Sequence, residues 1–329
     1  MTLQIYRTSA SSYQDSKFFH KEKRILEGIQ GVKYITSLRE LDPSLPVVLI
    51  TNTHTIPEEI SPKLLEKTCL IIHPNSGHDN LKKTFVTEMN FPIVIGNPIR
   101  SHAVVEYILG CIFQHFTQIP HHQHWSEDRT WQRKLLRDQK VTILGHGHIG
   151  KILYQVIKPL CKELHVFDPF IEKQINPDIH TQIDDSTFKD TQILICAASL
   201  NPSSHHLINQ RILKLLANDV LLINPARGGI IQEEDLIQYL QQNPKSYAFL
   251  DVFESEPFKP GLYNEVKNLN KTSHIAGVHE KLNNDIIAFE YIIIEDFLNH
   301  KNQNTLDKFV HLNKDCVLRA ESFIEAEYP

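Results

Sequence analysis

Residues 141–168 constrain the fold more than any other stretch. Val141-Thr142-Ile143-Leu144 is a short apolar run, Gly145-His146-Gly147-His148-Ile149-Gly150 follows it, and a helical pattern continues to about Ile157. Strand, glycine turn and helix in that order make a βαβ crossover whose turn can approach a pyrophosphate. Gly145 permits the tight turn, Gly147 lets the backbone come close, and Gly150 lets the helix pack against the strand. The helix N-terminus adds unpaired N–H groups and a positive dipole end. His165-Val166-Phe167 reads as the next strand and ends in Asp168, eighteen residues beyond Gly150. A carboxylate there can accept both ribose hydroxyls of an adenosine and would repel a 2′-phosphate. No basic residue follows it before Lys173, so NAD is the expected cofactor. The competing reading is a structural βαβ turn with Asp168 in a surface loop.

The same alternation of strand-like and helical segments runs along the chain, which implies α/β architecture with parallel sheets covered on both faces. Val47–Ile50, Leu70–Ile72 and Pro92–Ile95 read as strands, and residues 62–66 as a helix. Two long apolar helices are expected at 103–116 and 285–298. Both are apolar around much of their circumference, as helices buried on both sides would be, and Asn283, Asn284 or Asp285 can cap the second. The stretch from Pro120 to Arg137, with Trp125 and Trp131, reads as an ordered loop or arm. A chain of 329 residues is long enough for two domains.

Composition excludes several classes. The net charge of −5 comes from mixed signs without a long basic run, which disfavours nucleic acid or an anionic membrane as partner. The N-terminus, Met1-Thr2-Leu3-Gln4-Ile5-Tyr6, reads as a strand rather than a secretory signal, and the segment 103–116 is too short to span a bilayer. Five scattered cysteines (Cys69, Cys111, Cys161, Cys196, Cys316) imply reduced thiols and a cytoplasmic location. His115, His121, His122 and His124 lack the acidic or cysteine partners and the spacing of a metal site, so no metal is expected.

Chemistry is expected from Arg227, Glu256 and His274, each after a strand-like segment: Leu221-Leu222-Ile223, Ala248-Phe249-Leu250 and Lys271-Thr272-Ser273. A fixed cation, a carboxylate and an imidazole at strand ends can bind a carboxylate substrate and move a proton. Beside a nicotinamide, that combination points to hydride transfer at a 2-hydroxy or 2-oxo acid. Each residue alone has a plainer reading: Arg227 in a salt bridge to Asp235 or a similar acid, Glu256 as an exposed turn acid, and His274 bonded to backbone.

Four segments carry a resemblance. Gly145-His146-Gly147-His148-Ile149-Gly150, Asn224-Pro225-Ala226-Arg227-Gly228-Gly229, Asp251-Val252-Phe253-Glu254-Ser255-Glu256-Pro257 and His274-Ile275-Ala276-Gly277 resemble the signatures of the D-isomer-specific 2-hydroxyacid dehydrogenases. The resemblance covers most of residues 70–300. It implies two doubly wound parallel-sheet domains, with a Rossmann NAD-binding domain (99–284) inserted into a flavodoxin-like substrate domain (1–98 and 285–329). It implies that Arg227 orients the substrate and that Glu256 and His274 form the acid–base pair. Cofactor contacts are implied for Gly145, Gly147, His148, Ile149, Gly150, Asp168, Pro225, Ala226, Arg227, Asp251, His274 and Gly277, with Asp251 meeting the nicotinamide amide. Asn75, Ser76 and Gly77 resemble the loop whose backbone amides hold the substrate carboxylate, and Asp79-Asn80 the acidic turn after it. A homodimer is implied as well. Glu256 speaks against formate oxidation, because the formate branch pairs its histidine with glutamine.

The chain departs from the family pattern at four places. Ser273 stands where proline is usual, and Ala197-Ala198-Ser199 replaces a histidine–valine–proline run. Asn75 occupies a glycine-like position, and Asn97-Pro98-Ile99-Arg100 is a compressed turn. The last two line the expected substrate pocket. Arg100 and His102 either face a phosphate or second carboxylate of the substrate, or flank the helix at 103. Only 31 residues follow Leu298, too few for the regulatory domain of long phosphoglycerate dehydrogenases. The alternative functions are an NAD(H)-sensing binding protein like the corepressors of this family, and a homologue with an altered pocket and little turnover.

Overall fold

Val47, Val48, Leu49 and Ile50 are all fully buried, as are Ile193–Cys196. A strand without an exposed face belongs to a sheet covered on both sides, and such sheets are usually parallel. The computed structural model describes residues 2–11, 14–131, 133–171, 176–182, 185–300 and 303–319. Its elements begin with β1 (Leu3–Arg7), α1 (Ser16–Leu26), β2 (Val32–Ile35), β3 (Val47–Ile50), α2 (Pro62–Leu65), β4 (Thr68–His73), α3 (Lys83–Glu88), β5 (Ile93–Ile95) and α4 (Asn97–Phe116). They continue with β6 (Lys140–Leu144), α5 (His148–Ile157), β7 (Glu163–Phe167), β8 (Ile179–His180), α6 (Asp185–Phe188), β9 (Ile193–Cys196), α7 (Gln210–Leu213) and β10 (Leu221–Asn224). The last are α8 (Glu233–Gln242), β11 (Tyr247–Leu250), β12 (Leu269–Lys271), α9 (Leu282–His300) and α10 (Gln303–Leu312).

The chain divides into two compact units, Ser101–Gly277 and the described residues on either side of it. The expected boundaries were 98/99 and 284/285; residues 301–302 and 320–329 of the expected return segment, and Lys173, lie outside the described residues.

The flanking unit holds a five-stranded sheet in the order β2-β1-β3-β4-β5, with every pair parallel. This is the flavodoxin-like order, whose direction reverses between β1 and β3. Its core joins Leu3, Ile5, Val48, Ile50, Leu70 and Ile72 of the strands to Ile293, Ile294 and Phe297 of α9. The segment after α10 closes one sheet edge: Val317 bridges Val94 in antiparallel sense, and Leu318 N–H donates to Ile93 O at 2.8 Å.

The unit Ser101–Gly277 holds a seven-stranded sheet, β12-β11-β10-β9-β6-β7-β8, again all parallel. Counted from β6, this is the Rossmann order 3-2-1-4-5-6 with one strand added beyond β11. The fold is therefore two α/β domains with parallel sheets, one of Rossmann type.

Both long helices differ from expectation at their starts. α4 begins at Asn97 rather than 103, because Pro98 sits in the first turn, where its missing N–H has no partner to lose and its fixed φ suits the helix. Arg100 is therefore inside the helix. α9 begins at Leu282, so Asn283, Asn284 and Asp285 lie in its first turn instead of capping it. Neither helix is buried all round. α4 buries Val104, Val105, Ile108, Cys111 and Ile112 at helical spacing and leaves Phe113 exposed; α9 leaves Ile292 61% exposed. The buried stripe of α9 includes Glu290, which meets Arg7 in the core. Among the described residues no helix is long and apolar enough to cross a membrane.

Candidate active site

The three glycines after β6 divide into two kinds. Gly145 has φ +95°, and a Cβ there would lie 2.6 Å from Ala197 O; at Gly150 it would lie 2.1 Å from Gly145 O. Both positions are glycine because the protein's own backbone fills the space. Gly147 is the opposite case: a Cβ there would meet nothing within 4 Å. The fold does not require glycine at 147, but a ligand approaching the N-terminus of α5 would. His148 and Ile149 open that helix. Asp168 lies half-buried just past β7; its two oxygens accept the amides of His146 (2.7 Å) and Phe170 (2.9 Å). These features sit where the sheet order reverses, between β6 and β9, which is where ligands of open α/β sheets bind. The turn, the exposed helix start and the acid at the end of the second strand fit an adenine dinucleotide.

Arg227, Glu256 and His274 follow β10, β11 and β12. His274 Nδ1 lies 2.8 Å from Glu256 Oε2, with the two side chains 51% and 39% exposed. Glu256 Oε1 also accepts the Phe253 amide at 3.2 Å. Burial alone would raise the Glu256 carboxyl. The bond and charge of His274, the Phe253 amide and the charge of Arg227 outweigh it and hold the group below its ordinary value. Glu256 is thus a carboxylate near neutral pH and an acceptor for the Nδ1 proton of His274, which leaves Nε2 for proton exchange. Arg227 is half-buried, and its Nη1 donates to Ala226 O at 2.7 Å. The Asp235 considered as its partner accepts the Gln210 amide at 2.7 Å.

Two buried residues hold these loops in place. Asn224, at the end of β10, accepts the Ala226 amide and donates to Arg227 O at 2.9 Å, which fixes the backbone that carries the arginine. Asp251, at the end of β11, is fully buried. Its carboxylate accepts Ile275 N–H at 2.8 Å, Ala276 N–H at 2.7 Å and Thr272 Oγ1–H at 2.5 Å, while its carbonyl accepts the His274 amide at 2.8 Å. His274 has φ +56°, a left-handed conformation that costs a non-glycine residue about 1–2 kcal/mol. The bonds to Asp251 hold it there. Gly228 joins the two loops: a Cβ on it would fall 1.9 Å from Phe253 C. Of the other expected contacts, Pro225 is buried, and Ala226 and Gly277 are half-buried, in the same loops.

In the flanking unit, Asn75, Ser76 and Gly77 follow β4 and are half-buried. The loop is fixed from several sides. Gly96 N–H donates to His73 O (2.8 Å) and Asn75 O (3.0 Å), and Arg100 Nη1 donates to Pro74 O at 2.6 Å. Arg100 thus grips the loop backbone; His102 is exposed. Asn80 Nδ2 donates to Asn52 O and Thr55 O at 3.0 and 2.8 Å. His73 is fully buried between Thr51 Oγ1 and Gly77 O, each 2.9 Å from a ring nitrogen. A carbonyl can only accept, so Nε2 carries the proton and Nδ1 accepts the Thr51 hydroxyl. Burial, only partly opposed by the Gly77 bond, pushes the His73 imidazole down to about 4. Among the described residues, the amides of Ser76 and Gly77 donate to no protein acceptor.

His73, Gly228 and Thr272 are the loop-fixing residues that sequence reasoning missed. Gly228 had a signal, as a glycine beside the expected arginine; the other two had none. His115 meets Phe116 edge to face and lies tilted against Tyr247, and His121, His122 and His124 are exposed. Among the described residues no group of three or more histidine, cysteine or acidic side chains could hold a metal ion.

A family model described as "D-isomer specific 2-hydroxyacid dehydrogenase, NAD binding domain" matches residues 109–276. The chain belongs to that family, and the unit Ser101–Gly277 contains its NAD-binding domain. Among characterised relatives, the chain is 23% identical over 261 residues to a D-3-phosphoglycerate dehydrogenase of Methanocaldococcus jannaschii, covering 77% of this chain and 49% of the relative. It is 28% identical over 232 residues to an erythronate-4-phosphate dehydrogenase of Blochmanniella floridana, covering 69% and 59%. The match thus spans about half the length of these relatives. Among solved structures, a D-2-hydroxyisocaproate dehydrogenase superposes with a TM-score of 0.69 at 18% identity, over 93% of this chain and 99% of that one.

Proposed function

We propose that this protein is an NAD-dependent oxidoreductase that interconverts a D-2-hydroxy acid and its 2-oxo acid. The observation that carries the reading is the half-exposed pair His274 Nδ1–Glu256 Oε2, 2.8 Å apart at the strand ends that also present Arg227. Bound NAD(H) supplies the hydride chemistry. Reduction at C2 of an oxo acid leaves negative charge on the carbonyl oxygen, and His274 Nε2 donates the proton that neutralises it. In the reverse direction the neutral ring removes the hydroxyl proton, and Glu256 stabilises the imidazolium that results. Arg227 offers a planar, permanently charged fork that grips the substrate carboxylate and polarises the carbonyl.

Gly145, Gly147, His148, Ile149, Gly150 and Asp168 hold the cofactor's adenosine and pyrophosphate in this reading. Pro225, Ala226, Asp251 and Gly277 lie along its nicotinamide end. The amides of Ser76 and Gly77, beside Asn75, bind the substrate carboxylate; that the fold leaves them without an acceptor supports this assignment. The unit Ser101–Gly277 is then the cofactor domain and the flanking unit the substrate domain. Exposed Phe113, Ile119, Trp125 and Trp131 support a homodimer formed through this arm.

The test is steady-state oxidation of NADH with a panel of small 2-oxo acids. Turnover with at least one of them is expected. NADH binding without turnover on any of them would replace the enzyme with a dinucleotide-sensing protein.

A further inference from the structure

A chain of side-chain hydrogen bonds leads from α4 to the loop that carries His274. Tyr107 Oη lies 2.8 Å from Thr272 Oγ1, and Thr272 Oγ1 lies 2.5 Å from Asp251 Oδ1. The directions follow from proton inventory. The Asp251 carboxylate, already accepting two amides, takes the one hydroxyl proton of Thr272, so Thr272 can only accept from Tyr107. Burial pushes the Tyr107 hydroxyl up, so it keeps the proton it donates. Tyr107 is half-buried against the core of its unit, which also contains Val104, Ile108 and Ala276. Its ring therefore has packing to fix it, and its hydroxyl, which also meets the Cys111 side chain one turn on, has the task of holding Thr272.

That task bears on an unusual backbone. His274 holds φ +56°, and the neighbours that keep it there are the amides of His274, Ile275 and Ala276, all bonded to Asp251. Thr272 is the third donor to the same carboxylate, and it sits two residues before the histidine. If Thr272 turns away, Oδ1 loses a donor and the approach of the chain to residue 274 loosens.

We propose that Tyr107 is a positioning residue for His274. It locks the Thr272 hydroxyl onto Asp251 and thereby fixes the left-handed turn that aims the imidazole at Glu256. The proposal rests on the reading of His274 as the proton donor, and the experiment separates the two.

Tyr107→Phe, which keeps the ring and its packing, is expected to lower kcat for oxo-acid reduction about threefold to tenfold, the effect of one hydrogen bond. KM for NADH should stay at wild type, and the thermal unfolding midpoint should fall by no more than about a few degrees. Thr272→Val should lose more, and Thr272→Ser, which keeps the hydroxyl, should restore most of the rate. The Nδ1 proton of His274, observed by NMR, should exchange faster in Tyr107→Phe and Thr272→Val and normally in Thr272→Ser. Wild-type kcat and an unaltered Nδ1 proton in both Tyr107→Phe and Thr272→Val would overturn the proposal. Should His274→Ala itself keep its turnover, the acid–base reading falls instead, and the Nδ1 exchange rates alone decide whether Tyr107 positions the ring.

Discussion

Arg7 and Arg227 each lie near glutamate, and the two groupings behave in opposite ways. Arg7, on β1, contacts Glu22 of α1 and Glu290 of α9, and all three side chains are almost wholly buried. Tyr34 donates to Glu22 Oε2 at 2.6 Å. One cation faces two carboxyls there. Burial and the charge of Glu22 outweigh the attraction of Arg7 and raise Glu290 well above its ordinary value, which favours its protonated form. At Glu256 burial acts in the same direction but is weaker, and the bond and charge of His274, the Phe253 amide and the charge of Arg227 together outweigh it, leaving a carboxylate. Arginine near glutamate makes a sealed structural knot in one unit and, in the proposed reading, part of a proton-exchanging site in the other. Exposure decides between them: Glu290 is fully buried, whereas Glu256 is 39% exposed.

The contrast breaks most decisively at the imidazole. His274→Ala should lower kcat by about 10²–10⁴-fold, the range for a lost general acid–base group, while NADH still binds. Stopped-flow kinetics and cofactor titration read the two quantities separately, and near-normal kcat would refute the assignment. A smaller effect is expected at Glu256. Glu256→Gln keeps the shape and removes the charge that stabilises the imidazolium. The pH optimum for oxo-acid reduction should move downward and kcat fall about tenfold; a pH–rate profile superimposable on wild type would dissolve the pairing.

Glu290→Gln should leave kcat unchanged and alter only stability. Because the folded state holds the Glu290 proton above its ordinary value of 4.5, the wild type binds more protons folded than unfolded there. Its stability is present at low pH and falls as pH rises above that value, at most about 1.4 kcal/mol per unit. The glutamine variant should lack this part of the decline. Urea titrations between pH 5 and 8 that give parallel curves for the two proteins would show that Glu290 is ionised in the fold.

Much of this architecture is legible in the chain because parallel strands buried on both faces read as apolar runs: Val47–Ile50 and Leu221–Ile223 need no tertiary context. The dinucleotide turn is local for the same reason, with glycines, helix start and Asp168 in sequence order. The start of α4 was hidden because Pro98 reads as a break, although a proline in the first helical turn is compatible with the helix. Long-range polar contacts were hidden altogether. Arg7 and Glu290 are 283 residues apart. Tyr107 looks like one more half-apolar helix residue until its hydroxyl meets Thr272, 165 residues on. His73 reads as a strand-end histidine; only the fold shows that Thr51 and Gly77 enclose it.

The contact between Gly228 and Phe253 also sets the unit in which this site can change. With no room for even a methyl group between them, the loop bearing Arg227 and the loop leading to Glu256 are fitted to each other's backbone. A graft that replaces one with a loop from a relative inherits a neighbour cut for a different shape. Transplants of substrate preference into this scaffold should therefore move residues 224–229 and 251–257 together, as one cassette.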